Sequence, residues 1–73
     1  MRKTVRINLD LILVQRRKSL TQLSEEIGIT VANLSKLKTG KARAIRFSTL
    51  IAICSALDCS PGELIELEEA ERP

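Results

Sequence analysis

The sequence predicts an all-α domain, a compact bundle of five short helices. Three observations predict it. Apolar residues recur at steps of three and four through most of the chain. The core is drawn from Leu and Ile with Phe47 as the single aromatic, whereas strands favour aromatic and β-branched side chains. The stretch 20–37, LTQLSEEIGITVANLSKL, reads as two short helices joined by a turn at Gly28. Seventy-three residues make a single domain over 1–73, with no room for a second core.

The chain opens on MRKTVRI, residues 1–7, which is basic. Val5 and Ile7 alternate with Thr4 and Arg6, so the segment is either a flexible arm that touches phosphate or a short strand. The later run LIELE (64–68) alternates in the same way, which leaves a short β pairing of the two termini open. The first helix is expected over 8–17. Asn8 suits its N-cap and Asp10 its positive end, while Arg16 and Arg17 sit near its C-terminus. Leu9, Ile12 and Leu13 form one face. Leu11 and Val14 point elsewhere, to be covered by the C-terminal segment or by a second subunit, with cover inside the chain the plainer expectation.

In the central stretch Ser19 caps the second helix, and Gln22 three residues on completes a capping-box pattern. Leu23 and Ile27 are four apart on one face, and Leu34 and Leu37 three apart on another. Gly28 suits the residue just past a helix end, where a left-handed backbone is free of a Cβ clash. Ser24 is small enough for a helix crossing. Thr30 caps the third helix, expected over 31–38 and closed by Gly40. A helix, a glycine turn and a second helix make the helix-turn-helix pattern, whose second helix is the one that enters the DNA major groove.

The fourth helix is expected over 47–57. Its apolar set is Leu50, Ile51, Ile53, Cys54 and Leu57, and as the most hydrophobic helix it is placed centrally as the scaffold. Ser60-Pro61-Gly62-Glu63 starts the fifth, with a Ser N-cap, Pro at the first position and Glu at the third; Leu64 and Ile65 dock it. Residues 67–73 are read as an acidic, fraying tail.

At Ser19, Leu23, Gly28, Ile29, Thr30, Leu34, Leu37 and Gly40, and in the later run LIAICSALDCSPGEL, the chain resembles the lambda-repressor-like, XRE-type (Cro/CI-type) helix-turn-helix family. The resemblance covers about residues 8–66. It implies a five-helix fold and a bacterial or phage transcription regulator. Three positions depart from the family pattern. Leu20 stands where the family usually has Gln, which holds a phosphate and braces a base-reading side chain. Ser24 stands for the usual Ala, and Lys38 for a frequent Glu.

The bulk numbers exclude other classes. From 1 to 46, eleven Lys and Arg stand against Asp10, Glu25 and Glu26, a net +8; from 47 to 73, Arg72 stands against six acids, a net −5. A basic and an acidic half predict one side facing a polyanion and one turned away; chance clustering on a solvated surface is the plainer alternative. With no aromatic platform for stacked bases, duplex DNA is favoured over single strands. There is no His, and Cys54 and Cys59 lack metal-site spacing, so no zinc site and no other cofactor is expected. Cys54 is read as a buried, reduced thiol. Apolar runs are short, such as 11–14, so neither a membrane span nor a signal peptide is expected, and the chain is placed in the cytoplasm.

The outward face of the third helix is expected to be Val31, Ala32, Asn33, Ser35 and Lys36, and the resemblance implies that its early positions reach base edges. Asn33 offers adenine a donor and an acceptor together; Val31 and Ala32 suit a thymine methyl; Lys36 suits guanine or phosphate. For each, an ordinary exposed helix residue is the competing reading, and for Val31 partial burial against the second helix. The DNA backbone is assigned to Arg17, Ser19, Thr21, Thr30, Lys38, Thr39, Lys41, Arg43 and Arg46. Glu25 and Glu26 are left to solvent, since they would repel phosphate. The function expected is a sequence-specific, double-stranded-DNA-binding transcriptional repressor, and the resemblance adds a homodimer. No small-molecule ligand is expected. The rival is a protein-interaction module on the same fold, an antitoxin or regulatory adaptor, using Leu11, Val14 and the acidic tail. An enzyme is disfavoured: there are no paired acids in a plausible cleft and no glycine-rich phosphate loop.

Overall fold

The chain folds in the order β1 (Lys3–Ile7), α1 (Leu9–Gln15), α2 (Leu20–Ile27), α3 (Val31–Lys38), α4 (Phe47–Leu57), α5 (Pro61–Leu64) and β2 (Ile65–Glu69). The computed structural model describes residues 3–69. Nine aliphatic side chains make the core: Leu9, Ile12 and Leu13 of α1, Leu23 of α2, Leu34 and Leu37 of α3, Ile53 and Leu57 of α4, and Leu64 of α5. Every helix therefore contributes at least one buried side chain. The spacing-derived faces of the first three helices are the faces that pack.

The fold is five-helical but not strictly all-α: of the readings left open for residues 1–7, the strand paired with the C-terminal run is the one found. The termini pair as a two-stranded antiparallel sheet, with Lys3 opposite Glu69, Val5 opposite Leu67 and Ile7 opposite Ile65. Ile7 and Ile65 tuck half-buried against the core, so the sheet closes one end of the bundle. Charge pairs tie its strands, one across the outermost rung and one on the diagonal. Lys3 lies 2.8 Å from Glu69, and Arg6 lies 3.5 Å from Glu68. Opposite charges across a strand pair favour this register. The basic segment is thus a strand over 3–7, and the acidic segment is strand rather than frayed tail as far as Glu69. Met1, Arg2 and residues 70–73 of the expected arm and tail lie outside the described residues. The fifth helix is correspondingly a single turn, and Ile65 begins β2.

The first helix also ends earlier than its sequence implies, at Gln15. Arg17 takes a left-handed backbone (φ +57°). Its N–H bonds the Val14 carbonyl at 3.1 Å, and the Lys18 N–H reaches back to Leu13 at 3.0 Å. These two bonds form a Schellman cap, built here on Arg where Gly is usual. At the other end Asn8 occupies the N-cap position without a capping side-chain bond. Its amide instead donates to the Glu63 carbonyl and to Glu66 Oε1, tying α1 to the α5–β2 junction.

Two cations hold the C-terminal end of α4. Arg16 donates from Nε to the Leu57 carbonyl at 2.7 Å and from its terminal nitrogen to the Asp58 carbonyl at 3.0 Å. Lys18 donates to the Ala56 carbonyl at 3.0 Å and pairs with Glu26 at 2.8 Å. These bonds satisfy carbonyls that the helix end leaves without partners. Bonds from charged donors are worth about 1.5–3 kcal/mol each. Arg16→Ala is therefore expected to cost about 2 kcal/mol, read as a lower urea midpoint with an unchanged slope.

Two surface features depart from expectation. Leu11 and Val14 are 56% and 71% exposed, so nothing among the described residues covers them. On α4, Ile51 belongs to the apolar set expected from the sequence but is 63% exposed, and Phe47 is 81% exposed. The helix is apolar on more sides than its neighbours can bury. Cys54 is half-buried rather than fully buried, and both cysteines are free. Desolvation, followed by the neighbouring Cys54, pushes the Cys59 thiol up to about 11. The protonated thiol is the unreactive form.

Candidate nucleic-acid interface

The geometry of the turn between α2 and α3 is set by three side-chain choices. Ser19 starts α2 with a full capping box: its hydroxyl accepts from the Gln22 N–H at 3.0 Å, and its own N–H donates to Gln22 Oε1 at 2.8 Å. Gly28 ends the helix in the left-handed region (φ +73°), with its N–H on the Ser24 carbonyl at 2.9 Å. Ser24 then donates its hydroxyl to the Ile29 carbonyl at 2.6 Å, latching the last turn of α2 onto the connecting residues. Alanine at position 24 lacks that bond, which gives the departure from the family pattern a physical role. A Cβ built at Gly28 meets nothing within 4 Å, so the demand for glycine is one of backbone sign, not space. A left-handed L-residue costs about 1–2 kcal/mol. Gly28→Ala is expected to destabilise the domain by about that amount in chemical denaturation, with helix content by circular dichroism retained.

Thr30 caps α3, its hydroxyl accepting from the Asn33 N–H at 3.2 Å. Leu34 and Leu37 face the core, and the 100° step per residue then fixes the rest of the helix. Val31, Ala32, Asn33 and Lys36 are exposed, Val31 at 41%. Ser35 is half-buried, and its carbonyl accepts from the Thr39 hydroxyl at 2.9 Å. The following loop folds back over the end of α3. The N–H groups of Lys41 and Ala42 both bond the Lys36 carbonyl, and Gly40 supplies the left-handed reversal (φ +78°).

This reversal creates an open groove of about 510 Å³ between α3, the loop and the start of α4. Thr30, Asn33, Lys36 and Arg46 line it, four residues assigned to DNA from the sequence. Thr49 lines it too and had no motif to mark it beyond lying one helical turn after Arg46. No acidic residue lines the groove, and Lys36 and Arg46 give it a positive field. The other assigned residues lie elsewhere. Lys38 sits on the opposite flank of α3, 3.8 Å from Asp10. With Thr39 it lines a separate depression beside Leu11 and Val14, where Asp10 and Glu68 are also present. Arg43 lines a smaller cavity of about 200 Å³ against β1. Arg17, Ser19, Thr21 and Lys41 are exposed but do not line the groove.

The charge division seen in the sequence also takes a different form in space. Lys3, Arg6, Lys18 and Lys38 are held by acidic partners, so four cations of the basic half are engaged in structure. Among the described residues Arg16, Arg17, Lys36, Lys41, Arg43 and Arg46 have no acidic partner within salt-bridge distance, Arg16 being bonded to the Leu57 and Asp58 carbonyls instead. All but Arg16 and Arg17 belong to α3 and the loop behind it. Glu25 is exposed, whereas Glu26 is the partner of Lys18.

Comparison with known proteins is decisive for the family. Residues 8–70 match the model of the Cro/C1-type helix-turn-helix DNA-binding domain. The chain belongs to this family. A protein of Bacillus subtilis (strain 168), described as the uncharacterized HTH-type transcriptional regulator YozG, is 58% identical over 65 residues. The match spans 89% of this chain and 77% of that one. Among solved structures, the transcriptional regulator VanUg superposes with a TM-score of 0.74 at 28% identity, over 96% of this chain and 92% of that one. A Bacteroides fragilis protein, provisionally described as DNA-binding, gives 0.76 at 17% identity, over 86% and 100%. At that identity it supports the fold alone. The Cro/C1-type membership makes the chain a DNA-binding regulator domain, and the helix-turn-helix is the element that the family name denotes.

Proposed function

We propose that this Cro/C1-type domain is a sequence-specific, double-stranded-DNA-binding repressor that reads the major groove with α3 and acts as a homodimer. The observation that carries the reading is the acid-free groove in which Asn33 and Lys36 stand beside Thr30 and Arg46. Asn33 pairs a donor with an acceptor, the combination that an adenine edge presents in the major groove. Val31 and Ala32, exposed on the first turn of α3, meet thymine methyls, and half-buried Ser35 adds a hydroxyl. The loop cations Lys41, Arg43 and Arg46 grip phosphate, with Arg17, Ser19 and Thr21 forming a second set of backbone contacts at the start of α2. Ser19 suits this role, because its oxygen is already accepting within the helix cap and its proton is free to donate. On this reading the protein works without a catalytic group, a cofactor or a small-molecule ligand, in the cytoplasm with its target.

Selection of binding sites from random duplexes at two salt concentrations tests this reading. A recurrent motif is expected, with affinity falling steeply as salt rises. Lys41→Ala and Arg43→Ala should each weaken all duplexes alike and flatten the slope of log K against log salt by about 0.9 per lost phosphate contact. Salt-independent affinity would contradict the phosphate grip. The second reading, a protein-interaction module, is favoured by one observation: the uncovered Leu11 and Val14. Co-purification of a partner without DNA retardation would favour it.

A further inference from the structure

The strongest unexplained surface lies on α4. Phe47 and Ile51, 81% and 63% exposed, are four residues apart on the face turned away from the core, in line with half-buried Cys54 and exposed Asp58. Four-residue steps place such side chains on one stripe. The flanking residues Ser48 and Ser55 are small, so a second helix can approach closely.

The two ends of this helix are electrostatically opposite. At the N-terminus no side chain caps the free N–H groups, and Arg46 stands at the cap position. At the C-terminus Asp58 carries a carboxylate with no ion pair among the described residues. It is exposed, on a residue with a left-handed backbone (φ +52°). We infer that this face joins two copies of the chain, with α4 packed antiparallel against the partner's α4 about a two-fold axis near Ile51 and Ala52. Antiparallel packing brings the Asp58 carboxylate to the uncapped, positive N-terminus of the partner helix, twice over. It also opposes the helix dipoles. Phe47 then meets the small Ser55 side of the other copy. A two-fold interface requires one patch complementary to itself, and opposite charges at the two ends of an apolar stripe meet that requirement.

The Leu11–Val14 surface fits a second copy less well. The charges around it, Asp10 with Lys38 and Arg6 with Glu68, are already paired within the chain. An eleven-residue helix is about 16 Å long. The face is therefore smaller than a standard interface, and a weak, micromolar dimer is expected.

The inference deepens the homodimer part of the proposed function and is measured without DNA, so its failure leaves the reading by α3 untouched. Sedimentation of the full chain from about 5 to 500 µM should show a monomer–dimer equilibrium within the range of weak interfaces. Ile51→Arg sets like charges on the two-fold axis and should raise the dimer dissociation constant on the order of 100-fold, about 2.7 kcal/mol. Circular dichroism should stay unchanged. Asp58→Lys should weaken the dimer, whereas Leu11→Arg should not. A chain that is monomeric at 500 µM would overturn the inference. So would a dimer abolished by Leu11→Arg and indifferent to Ile51→Arg.

Discussion

Leu34→Ala is expected to remove much of the stability of the domain. Leu34 is fully buried on α3 and packs in one cluster with Leu9, Leu23 and Leu57. Truncating such a side chain costs about 2–5 kcal/mol, because the transfer free energy is lost and a cavity remains. A domain of this length has a total of about 4–11 kcal/mol. At about 4–8 °C per kcal/mol, the midpoint of thermal unfolding should fall by about 8 °C or more. The neighbouring Val31, 41% exposed, has less to lose, so Val31→Ala should cost less than about 1 kcal/mol. The contrast separates what α3 contributes to the core from what it offers outward. Equal losses at the two positions, measured by thermal melts, would show that α3 does not pack as described.

Asn33→Ala is expected to have the second large effect, on binding and not on folding. The side chain is exposed and makes no hydrogen bond within the described residues; the bond in the Thr30 cap is made by its backbone N–H. The fold should therefore be indifferent to its loss. A well-placed bidentate contact to adenine is worth about 1–3 kcal/mol of discrimination, so affinity for the preferred site should fall about 5- to 150-fold. Affinity for random duplex, set by phosphate contacts, should barely move. Losses of the same size on both duplexes would remove Asn33 from sequence reading.

The elements that the sequence made legible are those built from local signals. The capping box at Ser19 and Gln22, the left-handed Gly28 and the Thr30 cap act over three or four residues, and α2 and α3 fall where those signals put them. The bounds of α4 were equally readable, but its exposed stripe was not, because periodicity shows that a helix is apolar without showing which neighbours exist to cover it. The strand pairing joins residues 58 to 66 positions apart; alternation at both termini leaves it open, but the cross-strand charge pairs that help fix it lie in no local window. Arg17 misled the end of α1, since nothing in an arginine announces a left-handed backbone. The same limit applied at the groove. The outward face of α3 together with residue type marks Asn33 and Lys36, and charge marks Arg46, whereas nothing local separates Lys38 from them; its place on the other flank of α3, beside Asp10, comes only from the fold. Thr49 joins the groove only through the fold.

The most direct test of the α3 interface is a residue-by-residue map of amide chemical-shift changes on titration with the selected duplex. Changes concentrated at Thr30, Asn33, Lys36, Arg46 and Thr49, and spreading into the loop at Lys41 and Arg43, are the predicted result. Changes centred on Leu11 and Val14, with α3 unmoved, would contradict it.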